Sequence, residues 1–189
     1  MTKKAITSPP EGFRYQADIL PLDEEQQLVE QIRELPLKEF EFHGYTGKRR
    51  VISFGWHYDF SESRLKQSKE IPPFLLSVRE RAASFANLKP GDLPQALVTE
   101  YGPGAAIGWH RDKGVFDEVI GISLVSSCNF RFRRKRDSTG SKHSAWERYS
   151  LTVEPRSIYL LRGASRMEWE HSIPGVDALR YSITFRSLR

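Results

Sequence analysis

A histidine and an aspartate two positions apart, His110 and Asp112, close the stretch YGPGAAIGWHRD that begins at Tyr101. Gly102, Pro103 and Gly104 make a tight turn, and AAIGWH after it reads as a strand. Side chains two apart on a strand point the same way, so an imidazole and a carboxylate can face one ion. His171, in ASRMEWEHSIPG, would complete a set of two histidines and one carboxylate. That set leaves coordination positions open and suits non-haem Fe(II). With a single cysteine, Cys128, the chain has too few thiols for a closed zinc site or a disulfide framework. The apolar run around Cys128 makes it a core residue rather than a reactive thiol.

The last apolar stretch, RYSITFRSL, supplies a second group of residues. Arg180, Ser182, Thr184 and Arg186 share one strand parity and can line one face near the metal. An arginine there can grip a carboxylate bidentately, as a dicarboxylate co-substrate requires. Tyr101, on a partner strand, can donate its hydroxyl to the same carboxylate.

These groups need a scaffold, and the chain order suggests one. Residues 1–12 read as a loose tail, and FRYQADIL as a short strand. A helix follows, with Asp23 at its start, Leu28, Ile32 and Leu35 at helical spacing, and Pro36 at its end. A second helix carries Phe74, Leu75, Val78, Ala82 and Phe85 and stops before Pro90-Gly91. Residues 61–73 and KGVFDE read as polar loops. QALVTEY, AAIGWH, YSLTVEP, SIYLLRG and RYSITFRSL read as strands. VIGISLVSSCNFRF reads as two strands about Ser126-Ser127, and RRKRDSTGSKHSAW as a charged hairpin tip. Two helices followed by many short strands with Gly/Pro turns predict a mainly β sandwich with N-terminal helices on one sheet.

Three motifs together, YGPGAAIGWHRD, SRMEWEHSIPG and RYSITFR with its two arginines six apart, resemble the AlkB family of Fe(II)/2-oxoglutarate dioxygenases over about residues 40–189. The resemblance implies a double-stranded β-helix, the jelly-roll or cupin-like sandwich. It implies one dioxygenase domain over 1–189. Residues 1–96 would form an extension with a nucleotide-recognition lid at about 40–70, and 97–189 a catalytic jelly-roll core. It also implies Fe(II), 2-oxoglutarate and O2 as metal, co-substrate and oxidant. His110, Asp112 and His171 would be the iron ligands. Arg180 would salt-bridge the far carboxylate of 2-oxoglutarate, with Tyr101 as its hydroxyl partner. Thr99 stands where the bacterial prototype has an asparagine at the co-substrate. Arg186 resembles the second family arginine, between metal carboxylate, co-substrate and incoming base, a catalytic as well as a co-substrate position. Trp56 and Tyr58 resemble the base-gripping lid. Gly114 replaces a second aspartate that reads the base in the prototype; Asp117 and Glu118 are the nearby acids.

The implied activity is oxidative demethylation of N-alkylated bases, such as 1-methyladenine and 3-methylcytosine, in single- or double-stranded DNA, with RNA as an alternative. An oxygenase acting on RNA, protein or a small molecule, and a non-catalytic nucleic-acid-binding module, are the rival readings. The balance of 29 Lys and Arg against 24 Asp and Glu suits a phosphate-rich partner. Lys48, Arg49 and Arg50 form one basic run, and Arg131 with 133–136 another, followed by Lys142, His143 and Arg148. Each run reads either as a solvated face or as phosphate contacts. The row Phe54, Trp56, Tyr58 and Phe60 reads either as sheet core or as a stacking platform. His43, His57 and His143 read as surface or structural residues, with His57 the nearest to a substrate mouth. No stretch has the ~18 apolar residues of a membrane helix, and the N-terminus lacks a signal segment. A cytoplasmic monomer is the expectation.

Overall fold

The computed structural model describes residues 8–42, 45–136 and 146–189. His43, Lys142 and His143, most of the expected N-terminal tail and most of the charged hairpin tip lie outside them. In chain order the elements are β1 (Phe13–Gln16), α1 (Leu22–Arg33), β2 (Lys38–Phe42), β3 (Tyr45–Phe54), β4 (Trp56–Asp59) and β5 (Arg64–Gln67), then α2 (Leu76–Ala86), β6 (Gln95–Tyr101), β7 (Ile107–His110), β8 (Phe116–Leu124), β9 (Cys128–Lys135), β10 (Trp146–Val153), β11 (Ser157–Leu161), a single helical turn α3 (Ala164–Met167), β12 (Glu170–Ile173) and β13 (Arg180–Leu188).

Strand alternation gives the larger sheet two distinct faces. It has seven strands in the order β1-β11-β8-β13-β6-β3-β2, and the paired neighbours are antiparallel. Ala96, Val98, Ile120, Ile122, Leu160, Ile183 and Phe185 line one face. They pack against Leu28, Val29 and Ile32 of α1 and Val78, Ala82, Ala83 and Ala86 of α2. Burying each such leucine, isoleucine or valine contributes about 1.5–3 kcal/mol, so this helix-covered core anchors the sheet. α1 carries Asp23, Glu24 and Glu25 in its first turn, matching the positive end of its dipole. α2 ends where Asn87 takes a left-handed conformation, φ 56°.

The other face looks across at a four-stranded sheet ordered β10-β9-β12-β7. Phe13, Val119, Phe130, Phe132, Tyr159, Leu161 and Ile173 form a second core there. Gly121 shows how tight this side is. A Cβ at that position would lie 2.1 Å from Cζ of Tyr159, so the absence of a side chain lets the tyrosine ring lie across β8.

The hydrogen-bonded architecture corrects the jelly-roll expectation. Among the described residues the strands form three open sheets, of seven, four and two strands, and none closes into the barrel that a double-stranded β-helix requires. The physical reason lies at the edges. Hydrophobic alternation specifies strands and their buried faces, but closure depends on which edges exchange backbone hydrogen bonds. Here β1 and β2 end one sheet, and β10 and β7 end the other. The two-stranded sheet is the hairpin β4–β5. Its second strand, Arg64–Gln67, falls in the stretch expected as a polar loop.

Candidate metal centre

β7 and β12 are antiparallel neighbours, and their register sets His110 directly opposite His171. The two imidazole centroids are 4.3 Å apart. β7 stops at His110, and Asp112 sits just beyond the strand end rather than within it. The loop that carries it is held from below. Buried Arg166 donates through Nη2 to the carbonyls of Lys113 (2.7 Å) and Phe116 (2.8 Å). One ligand atom from each of His110, Asp112 and His171 lies within 4.8 Å of the others, and His171 Nε2 is 3.5 Å from Asp112 Oδ2.

The hydrogen bonds around the triad decide which atoms remain free. His110 Nδ1 donates to the carbonyl of Gly108 (2.8 Å), an acceptor only, which leaves Nε2 with its lone pair for a metal. Asp112 Oδ1 accepts from Arg186 Nε (2.9 Å) and Nη2 (2.7 Å), which leaves Oδ2 toward the histidines. Burial by itself would raise the Asp112 carboxyl. Arg186, both histidines and Arg166 together overcome it and hold the carboxyl far below its ordinary value. Burial is also the main cause that pushes His171 down to about 3, with His110 and Arg186 adding to it. His110 is lowered chiefly by burial as well. Two neutral imidazoles and one carboxylate are the protonation state in which these groups bind a cation.

The triad opens into a cavity of about 660 Å³ between the two large sheets. Thr99, Tyr101, Ser182, Thr184 and Arg186 line it, brought level because Arg180 pairs with Tyr101, Ser182 with Thr99 and Arg186 with Gln95. Arg180 lies beneath this wall, fully buried. Its Nε donates to Ser123 Oγ (3.0 Å), and its guanidinium stacks on the Tyr101 ring at 4.9 Å. Its Nη1 and Nη2 are buried without a partner among the described residues. Such orphaned donors are rare in native proteins and call for an explanation. A carboxylate reaching that depth would satisfy both. An open His–Asp–His set beside a buried, unsatisfied guanidinium fits Fe(II) with 2-oxoglutarate.

The other expected site residues are distributed unevenly. Arg49 lines the cavity and stacks on Phe40 at 4.1 Å. Arg50, one residue on, points to the opposite face, where it grips both oxygens of Glu100 (2.7 and 2.9 Å). Lys48 is exposed. Tyr58 and His57 line the cavity, whereas Trp56 is absent from its lining. Lys113 reaches across to the rings of Tyr58 (5.1 Å) and Phe60 (5.0 Å), joining the Asp112 loop to the β4–β5 hairpin. From the second basic run, Arg133 pairs with Glu170 and Arg134 with Glu147 and Glu168. Three participants escaped the sequence reading: Tyr159, Arg166 and Gln95, the last of which accepts a bond from Arg186 (3.0 Å).

The chain is similar to known proteins over most of its length. A model described as the 2OG-Fe(II) oxygenase superfamily matches residues 12–186. The "Alkylated DNA repair protein ALKBH8 homolog" of Arabidopsis thaliana is 29% identical over 91% of this chain and 54% of its own length. "RNA demethylase ALKBH9B" of the same plant is 25% identical over 98% of this chain and 41% of its own. The chain thus spans about half the length of these relatives. Among solved structures, "The structure of OsALKBH1" has the same fold, with a TM-score of 0.70 and 17% identity over 95% of this chain and 100% of that one.

Proposed function

The chain belongs to the 2OG-Fe(II) oxygenase superfamily, with the metal triad of an Fe(II)/2-oxoglutarate-dependent dioxygenase, and from that premise we propose that it removes N-alkyl groups oxidatively from nucleic-acid bases in DNA or RNA. The observation that carries the substrate class is the composition of the cavity wall facing the triad. Phe40, Tyr58 and Phe60 supply ring faces, and Arg49 and Lys113 lie over them. Rings interleaved with cations suit a flat, charged-backbone substrate whose base is withdrawn from its stack. The segment at about 40–70 acts as the recognition lid, and residues 97–189 carry the metal site. No helix among the described residues is long and apolar enough to cross a membrane.

His110, Asp112 and His171 would hold the iron, and Arg180 with Tyr101 the far carboxylate of 2-oxoglutarate. Bound Fe(II) with 2-oxoglutarate supplies oxidative decarboxylation and hydroxylation of the N-alkyl carbon, whose collapse releases an aldehyde and the plain base. The protein's part is positioning. Arg186 fixes Oδ1 of Asp112 and so leaves Oδ2 turned toward the histidines. The Gly108 carbonyl fixes the His110 tautomer. Arg166 holds the loop bearing Asp112 to the body of the protein. Phe130 and Phe132 pack against the His171 ring and shield that side of the triad from bulk water.

The test is anaerobic reconstitution with Fe(II), then assay of succinate and formaldehyde with oligonucleotides bearing 1-methyladenine or 3-methylcytosine in single- and double-stranded DNA and in RNA. The expected result is substrate-dependent formaldehyde, lost in His110→Ala together with bound metal. Succinate without formaldehyde from any oligonucleotide refutes the dealkylation reading.

A further inference from the structure

Gln95 stands at the start of β6, directly opposite Arg186 in the register, and is 2% exposed. It lines the cavity of the metal triad. Arg186 Nη1 donates to its side chain at 3.0 Å. An amide oxygen and nitrogen look alike in shape, but a guanidinium has only donors. The atom facing Arg186 is therefore Oε1, and Nε2 with its two N–H groups must point elsewhere. No hydrogen bond among the described residues engages Nε2, and the atom is not among those sealed from solvent without a partner. Gln95 lines the cavity, so that is the open space within the amide's reach.

Resting on the dealkylation reading above, we propose that Gln95 reads the substrate: its Nε2 donates to a carbonyl oxygen that flanks the alkylated ring nitrogen. The placement comes from Arg186. One guanidinium holds Asp112 through Nε and Nη2 and Gln95 through Nη1. The amide is thus one guanidinium's width from the metal carboxylate. A base whose alkyl carbon faces the metal brings the atoms beside the alkylated nitrogen nearest to it. The lone pairs required there exist on 3-methylcytosine (O2), 3-methylthymine (O2 and O4) and 1-methylguanine (O6). In 1-methyladenine the flanking positions are a C–H and an exocyclic nitrogen that carries hydrogen. Gln95 selects the first three. A polar site built for one partner rejects the analogue that lacks it more strongly than an apolar pocket can.

Gln95→Glu separates this role from support of Arg186. The carboxylate keeps the acceptor that Arg186 needs and removes the donor. The kcat/KM values for 3-methylcytosine, 3-methylthymine and 1-methyladenine in the same oligonucleotide sequence are measured for the wild type and for the variant, with bound iron quantified in both. The wild type favours the two carbonyl bases over 1-methyladenine. In the variant that ratio falls by about tenfold or more, the usual consequence of losing one hydrogen bond and leaving its partner unpaired. A ratio unchanged by Gln95→Glu, or equal losses on all three bases, overturns the assignment while the dealkylase reading stands. No formaldehyde from any base with the wild type overturns both. The wild-type comparison of bases needs no variant to fold, so a wild type that prefers 1-methyladenine also overturns the assignment.

Discussion

Arg180→Met should have opposite effects on the protein without and with its co-substrate. In the free protein the guanidinium is fully buried with two unpartnered nitrogens. An unsatisfied buried donor costs about 1–3 kcal/mol, more for a charged group. Against that stand one hydrogen bond to Ser123 Oγ, worth about 1 kcal/mol, and the contact with the Tyr101 ring, worth about 0.5–2 kcal/mol. Methionine fills similar volume without a charge. With both nitrogens counted, about 2–6 kcal/mol of cost stands against about 1.5–3 kcal/mol of contact, and the midpoints leave about 2 kcal/mol in favour of the variant. At ~2–4 °C per kcal/mol for a chain of this size, the Tm of the free protein stays level or rises by several degrees. With 2-oxoglutarate the sign reverses. Ligand at a hundred times its Kd stabilises the wild type by about 2.7 kcal/mol. Losing two charge-assisted bonds of about 1.5–3 kcal/mol each weakens binding at least a hundredfold, which erases nearly all of that gain. Thermal melts with Mn(II) in place of Fe(II), with and without 2-oxoglutarate, measure both arms without turnover. A variant that keeps the wild-type ligand shift refutes the role given to Arg180, and a strongly destabilised free variant refutes the argument from its orphaned nitrogens.

Three further outcomes follow from the same geometry. His171→Ala should leave the protein folded, since the ring borders the second core at Phe130 and Phe132 without being a member of it, but abolish stoichiometric iron binding; metal analysis after gel filtration measures it, and retained iron would dismiss the triad. The metal-free protein should lose stability on acidification. His171 takes its proton near pH 6.5 when unfolded and, because of burial first and His110 and Arg186 next, only near about 3 when folded. Between those values the unfolded chain holds the extra proton, so stability falls as the pH drops through that window, and Asp112, depressed by Arg186 against its own burial, continues the fall below it. A urea midpoint that stays flat from pH 7 to 4 would contradict this. Gly121→Ala should destabilise by about 1–3 kcal/mol, because the added carbon meets the Tyr159 ring at 2.1 Å; a neutral melt would mean that the ring moves aside freely.

The helices and most strands were legible because one face of each is apolar at the right period. Leu28 and Ile32 mark the buried stripe of α1, and the strands on either side of Ser126-Ser127 are β8 and β9. The metal triad was legible because its residue types are unusual in combination. What escaped had no such contrast. RLKQ in β5 lacks an apolar alternation because neither face of that hairpin strand is fully buried. Tyr159 sits in SIYLL, where every residue is buried, so nothing marks one ring as facing the cavity. The basic run 48–50 looked like one patch, yet strand parity sends Arg49 and Arg50 to opposite faces. Sheet closure was illegible for a different reason: it is a property of edges that meet across long sequence separations, and no local pattern encodes it.

The charges around the triad explain why metal and co-substrate belong together. Arg166 and Arg186 are both largely buried near one carboxylate, Asp112, and Arg180 is fully buried with no carboxylate partner among the described residues. In a medium where charges interact more strongly than in water, that excess of positive charge disfavours a divalent cation arriving alone. A dicarboxylate would remove the excess, and a carboxylate reaching Arg180 would meet the guanidinium that lacks partners. Once it is bound, a divalent cation no longer meets an excess of positive charge, and the histidines, held neutral by burial, present lone pairs rather than protons. Each ligand therefore improves the site for the other, and the coupling is equal in both directions. Arg186 sits where the two effects meet. It neutralises the unused oxygen of Asp112 on one side and holds Gln95 on the other, so the arginine that orients the metal carboxylate also orients the amide that faces the substrate.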